Sequence, residues 1–315
     1  MVPAPGIDQL AESTISQVSP AIVKIENVGN GLGSGVTMSR DGYIVTNSHG
    51  VANARRVLVS LAKGATLRAH IVGTDPVEDL AVVKVNGRSL PAATFGDSSE
   101  LAVGHTVLAI GNPLGITQTV TEEIVSALNR TADEGQGGGV VRRAVQPTAP
   151  INPGNSGGAL DNLGGQVIGI PTLNAVDPEF GTPANGIGFA IPSNIVTSIA
   201  SQIIRYGKVI HSGRAAPGVR VLTITPSRAA QYGLPVDHGV LIASVVKGGP
   251  AARAGLKPGD IVIELGTKPI AGETYLLDAL ANKNPGDTVP ITVVDSHGKQ
   301  HVYRVKLGEL QVDST

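Results

Sequence analysis

The chain is expected to be mainly β and to fold as two successive units. From Ala21 to about Ile191, short apolar runs recur between glycine-bearing polar turns: AIVKIENV, SGVTMS, GYIVTN, RVLVSL, RAHIVGT, DLAVVKV, TVLAIGN, QTVTEEIVSAL, VIGIPTL and IGFAIP. Many short strands punctuated in this way point to a barrel or sandwich. A polar, glycine-punctuated stretch then separates these runs from a second set, GVRVLTI, GVLIASVV, DIVIELG, TVPITVV and HVYRVKL. The expected boundaries are residues 1–206 for the first domain, 207–216 for a linker and 217–315 for the second domain.

Few helices are expected. Asp8 to Val18 reads as a short leading helix. Ser193 is a suitable N-cap for a helix carrying Ile195, Ile199 and Ile203 at helical spacing, and Gly207 is placed to end it. A helix over Gly272 to Asn282 is expected in the second unit.

The 315 residues carry a formal net charge of −1 and no basic block, so nucleic acid is not an expected partner. There is no cysteine, hence neither a disulfide framework nor a thiolate metal site. No apolar stretch approaches the length of a membrane span. Met1-Val2-Pro3-Ala4-Pro5 does not read as a signal peptide, which leaves a cytosolic protein or one whose targeting segment lies outside this sequence.

The chemistry concentrates in Gly154-Asn155-Ser156-Gly157-Gly158, with His49 and Asp79 upstream. Flanking glycines let a sharp turn present the hydroxyl and bring backbone N–H groups close to an attacked carbonyl. Serine needs a base at neutral pH, which histidine supplies, and the histidine needs an orienting carboxylate. The order His, Asp, Ser is that of the chymotrypsin-type triad. GNSGG also fits the G-x-S-x-G elbow of α/β-hydrolases, but that elbow leads into a helix and keeps its Asp and His after the serine. Here ALDNLGGQVIGI follows, which reads as two strands around a turn.

The ordered stretches SPAIVKI, GLGSGV, DGYIVTNSH, DPVEDLAVVKV, FGDSSELAVGHTVLAIGNPLG, INPGNSGGAL, GIGFAIPS and GPAARAGLKPGDIVIELGTKPI resemble the HtrA/Deg family of serine proteases over residues 8 to 310. The resemblance implies a chymotrypsin-like double β-barrel followed by a small α+β PDZ domain. It implies His49 as base, Asp79 as its orienter and Ser156 as nucleophile, with the N–H groups of Gly154 and Ser156 as oxyanion hole. Neither metal nor cofactor is expected. Pro150, where trypsin-like enzymes with basic specificity keep an acid, together with Ile151 and Ile187 implies a pocket for small or medium aliphatic P1 residues. Arg130 matches the family's regulatory-loop arginine. Pro217, Gly218 and Val219 fall at the carboxylate-binding loop of the PDZ domain, where C-terminal peptides add to a strand edge.

This chain departs from the family pattern at Thr148, where Asp is usual, at Glu123, where Gly is usual, and at Gly50, where Val is common. The aromatic residues that mortise the family trimer near its N-terminus are absent, and so is the long inhibitory loop of some relatives. The function expected by resemblance is an ATP-independent, extracytoplasmic endopeptidase acting on unfolded or damaged polypeptides, assembled as a homotrimer or higher homo-oligomer. The alternative is a chaperone or PDZ scaffold whose protease fold is idle.

Overall fold

A computed structural model describes residues 6–112, 119–133, 140–148, 155–176 and 183–311. The chain divides into two compact units, Met1–Ile210 and His211–Thr315. After α1 (Ile7–Val18), the first unit opens with β1 (Ile22–Asn27), β2 (Gly31–Thr37), β3 (Tyr43–Thr46), the single-turn α2 (Ser48–Val51), β4 (Val57–Ser60), β5 (Thr66–Asp75) and β6 (Leu80–Val85). These six strands close into a barrel in the order β1-β2-β3-β6-β5-β4. β7 (Thr94–Phe95), β8 (Thr106–Gly111), β9 (Thr119–Asp133), β10 (Val140–Pro147), β11 (Ala159–Asn162), β12 (Gln166–Val176) and β13 (Pro183–Pro192) follow. Here β11-β8-β9-β10-β13-β12 form a ring closed by β11–β12 pairing, and β7 adds to β12 in parallel.

The apolar runs explain how the barrels pack. In β6, LAVVKV, Leu80 and Val82 enter a cluster shared by both barrels, whereas Ala81 and Val83 fill the first barrel. Successive side chains of a strand point to opposite faces, so a continuous apolar run is a strand buried on both. The second barrel fills its interior with Val107, Val125, Val145, Leu160, Ile168 and Ala190. α3 (Ser193–Tyr206) closes the shared cluster with Val196, Ile199 and Ile203. Gly207 ends it in the left-handed region, φ 72°, its N–H bonded to the Ile203 carbonyl. Ser193 is not the N-cap: Pro192 holds that position, and the Ser193 hydroxyl donates to the Gly96 carbonyl at 2.7 Å. A bond to the sequence-distant Gly96, just after β7, takes the hydroxyl that local capping would use.

In the second unit, β14 (Ala215–Ala216), β15 (Val219–Thr223), α4 (Pro226–Tyr232), β16 (Val240–Val245), α5 (Pro250–Ala254), β17 (Ile261–Leu265), β18 (Lys268–Pro269), α6 (Glu273–Ala281), β19 (Thr288–Val294), β20 (Gln300–Lys306) and β21 (Gly308–Glu309) follow in order. The main sheet runs β15-β16-β17-β19-β20, with β18 on β17. Residues 211–216 belong to this unit: β14 pairs with β21, and Glu309 accepts from the Gly213 N–H at 2.6 Å. The expected linker, 207–216, is thus divided between the two units. β7, β10, β14, β18, β21, α2, α4 and α5 have no counterpart among the elements expected from the sequence.

Candidate active site

Asp79 sits at the end of the β5–β6 turn, only 2% exposed, in the left-handed region at φ 51°. Three consecutive residues hold it. Its backbone carbonyl accepts from Asn47 Nδ2 at 3.1 Å and from the Ser48 N–H at 3.2 Å. Its Oδ1 accepts from the His49 backbone N–H at 2.9 Å, and its Oδ2 from His49 Nδ1 at 2.9 Å. With the Nδ1 proton committed to the carboxylate, Nε2 of the neutral ring is the acceptor. The His49 side chain is half exposed, so substrate can reach it.

Asp79 Oδ2 has a further donor, Thr172 Oγ1, from β12 of the second barrel. Thr172 is 2% exposed, and its carbonyl accepts the Ser156 hydroxyl at 3.0 Å. One residue therefore touches both the carboxylate and the serine. Residue type and spacing do not single it out. Its signal is weak: a lone hydroxyl residue inside the apolar run VIGIPTL.

Ser156 is docked against the first barrel. The Ser34 N–H bonds the Ser156 carbonyl at 2.9 Å, and the Gly157 N–H bonds the Pro171 carbonyl at 2.9 Å. Gly157 has φ 79°, and a Cβ there would lie 2.2 Å from the Ser34 carbonyl oxygen and 2.6 Å from Thr46 Oγ1. Glycine is required by close approach between the barrels as well as by backbone conformation.

The expected residues Gly154, Pro150 and Ile151 lie outside the described residues. Ile187, on β13, is 37% exposed, which removes it from the barrel core and leaves it available to line a surface pocket. Arg130 is exposed in β9, opposite Ala144 of β10, so it stands on a strand and not in a loop. The departures at 123 and 148 meet each other: Thr148 Oγ1 donates to Glu123 Oε2 at 2.9 Å and accepts from the Ile124 N–H at 3.0 Å. The two departures thus place a carboxylate from β9 against the Thr148 hydroxyl. Among the described residues no group of His, Cys, Asp and Glu could hold a metal ion.

In the second unit β15 is an edge strand with α6 packed beside it. The Ala251 N–H bonds the Pro217 carbonyl at 2.8 Å, and the Val246 N–H bonds the Gly218 carbonyl at 2.9 Å. Peptide groups are trans and planar, so the N–H groups of Gly218 and Val219 point the opposite way. The Val219–Val245 register with that Val246 bond makes the pair a non-hydrogen-bonded one, which turns the Val219 N–H toward the free edge. Gly218, at φ 74°, allows the turn.

Two closed barrels, with a His–Asp pair on one and a serine on the other, define a chymotrypsin-like serine protease fold, and the unit after it is of the PDZ type. The family model for a trypsin-like peptidase domain matches residues 33–170, and that for a PDZ domain matches residues 216–306. A probable periplasmic serine endoprotease, DegP-like, of Halomonas elongata is 39% identical over 281 residues, covering 88% of this chain and 56% of that protein. A serine protease Do-like HtrA of Lactococcus lactis subsp. lactis is 40% identical over 297 residues, covering 89% and 71%. The chain thus spans little more than half the length of the first of these relatives. Among solved structures, the HtrA-type protease AlgW with a decapeptide is 34% identical, with a TM-score of 0.66 and coverage of 96% of this chain and 99% of that one. The chain belongs to the HtrA/Deg family of serine proteases.

Proposed function

We propose that the chain is an ATP-independent serine endopeptidase that cleaves unfolded or damaged polypeptides, with the PDZ unit binding C-terminal peptides. The observation that supports this is the continuous hydrogen-bonded path His49–Asp79–Thr172–Ser156, which links a histidine, a carboxylate and a serine across the two barrels. A hydroxyl has one proton, and here it is directed at the Thr172 carbonyl. That is a resting geometry. In catalysis the hydroxyl turns to His49 Nε2, which takes the proton as Oγ attacks the scissile carbonyl carbon. Asp79 stabilises the resulting imidazolium, which then protonates the leaving amine, and water releases the acyl group from Ser156. The N–H groups of Gly154 and Ser156 would hold the oxyanion, and Pro150, Ile151 and Ile187 an aliphatic P1 side chain.

The open β15 edge and the outward Gly218 and Val219 N–H groups suit a peptide carboxylate. Relatives are named periplasmic endoproteases, which supports an extracytoplasmic location. Among the described residues no helix is long and apolar enough to cross a membrane. Assembly as a homotrimer or larger homo-oligomer is carried over from the family, and light scattering tests it. Casein hydrolysis together with fluorophosphonate labelling tests the activity. Both are expected in the wild type and lost in Ser156→Ala, whereas an unlabelled, inactive wild type would leave a peptide-binding scaffold.

A further inference from the structure

Glu78 and Arg142 form an ion pair between the two barrels, Arg142 Nε donating to Glu78 Oε1 at 2.8 Å. The side chains are 2% and 11% exposed. Glu78 immediately precedes Asp79 in the β5–β6 turn of the first barrel, and Arg142 lies on β10 of the second.

Both partners stand beside unusual backbone. Asp79, after Glu78, has φ 51°, and Arg143, after Arg142, has φ 54°. This region is sparsely populated by non-glycine residues and persists where surrounding contacts over-determine it. In β10 the pairing register slips between Val141 and Ala144. These two residues, three apart, both enter the core cluster shared by the barrels, which regular alternation forbids. A bulge of this kind re-aims side chains. Here it delivers Arg142 to the turn that presents the carboxylate.

We propose that Glu78 and Arg142 are positioning residues for the reaction. They lock the Asp79 turn in register with the second barrel. His49 and Asp79 come from the first barrel, Ser156 and Thr172 from the second, so the site exists only while the barrels keep their relative placement. Ser34 and Thr172 each bond across this boundary from beside the serine, and the ion pair adds a further tie through the residue next to Asp79. Buried ion pairs contribute little net stability because desolvation offsets their attraction, and their best-attested use is to specify register. A charged pair next to the orienting carboxylate fits that use.

The proposal rests on the catalytic assignment above, and its test separates the two. Full-length wild type, Glu78→Gln, Arg142→Gln, the double variant and Arg142→Lys are titrated with a fluorophosphonate to count competent serines. Values of kcat and KM on casein are then taken per labelled site. Glu78→Gln and Arg142→Gln are expected to lose about 10- to 100-fold in kcat, with KM changed by no more than about twofold. The double variant should lose no more than the worse single variant, because the pair acts as a unit. Arg142→Lys keeps the charge without the planar Nε donor and should fall between. A per-site kcat within about twofold of wild type in folded Glu78→Gln, or fully additive losses in the double variant, overturns the proposal. Where the glutamine variants do not fold, Arg142→Lys decides, and wild-type kcat in that variant overturns it. A wild type that is not labelled removes the catalytic assignment, and this proposal with it.

Discussion

Thr172 and Asp79 meet across the two barrels, the threonine hydroxyl donating to Asp79 Oδ2 while the threonine carbonyl receives the Ser156 hydroxyl. The side chain serves the carboxylate and the backbone serves the serine, so the two roles can be tested apart. Thr172→Val keeps the carbonyl and the volume but removes one donor to a buried carboxylate. A hydrogen bond to a charged group contributes about 1.5–3 kcal/mol, so kcat should fall about 10-fold or more. Steady-state kinetics with fluorophosphonate titration checks this, and an unchanged kcat would remove Thr172 from the network.

Asp79→Asn should cost roughly 10⁴-fold in kcat, because an amide can offer a donor to His49 Nδ1 and favour the wrong tautomer. Ser156→Ala should abolish turnover while leaving the melting temperature close to wild type. Near-normal turnover in either variant contradicts the triad.

Gly157→Ala sets a Cβ against the Ser34 carbonyl at a backbone angle that alanine resists. The destabilisation should exceed about 1 kcal/mol, and labelling of Ser156 should fall with it. A stable, fully labelled Gly157→Ala protein would show that the turn relaxes without cost.

Asp161 offers a pH test away from the chemistry. It lies in β11 opposite Leu108 and Val167, fully buried, and neither carboxyl oxygen has a partner among the described residues. Burial pushes its pKa up to about 8. The native chain therefore keeps this proton at pH values where the unfolded chain, with an ordinary carboxyl near 3.8, has lost it. Stability from this group is full below the unfolded value and declines as pH rises, until the native carboxyl also ionises near pH 8. A tenfold change in proton affinity is worth about 1.4 kcal/mol, so the decline is on the order of several kcal/mol. Asp161→Val should raise the melting temperature, and more at pH 8 than at pH 5. Parallel pH profiles for the two proteins would contradict the neutral buried acid.

The second unit can be tested with one peptide in two forms. A hydrophobic C-terminal peptide should bind with its free carboxylate directed at the Gly218 and Val219 N–H groups. Amidation should weaken binding by about 10-fold or more, since a charged acceptor is replaced by a neutral one and by donors that face donors. Calorimetry decides, and equal affinities would place the peptide elsewhere.

The longer strands of both units, β10 apart, are legible in the sequence because their apolar runs are short and turn-bounded, whereas the two-residue strands β7, β14, β18 and β21 are too short to leave a pattern. β10 escapes that reading because VVRRAVQP carries two arginines, and its bulge breaks the alternation by which a strand is recognised. The Ser193 cap is misplaced because local capping chemistry cannot anticipate a carbonyl as distant in sequence as Gly96.

The candidate residues His49, Asp79 and Ser156 stand out in the sequence by residue type, order and the glycines around the serine. The tertiary structure alone decided that Thr172 joins the carboxylate to the serine, that Glu78 pairs with Arg142 of the other barrel, and that Thr148 and Glu123 hydrogen-bond to one another. The physical reason is common to all three. A nucleophile's turn is built by neighbours in the chain and leaves a local pattern. Partners that meet across two barrels are chosen by register, bulges and burial, which no contiguous stretch of residues records.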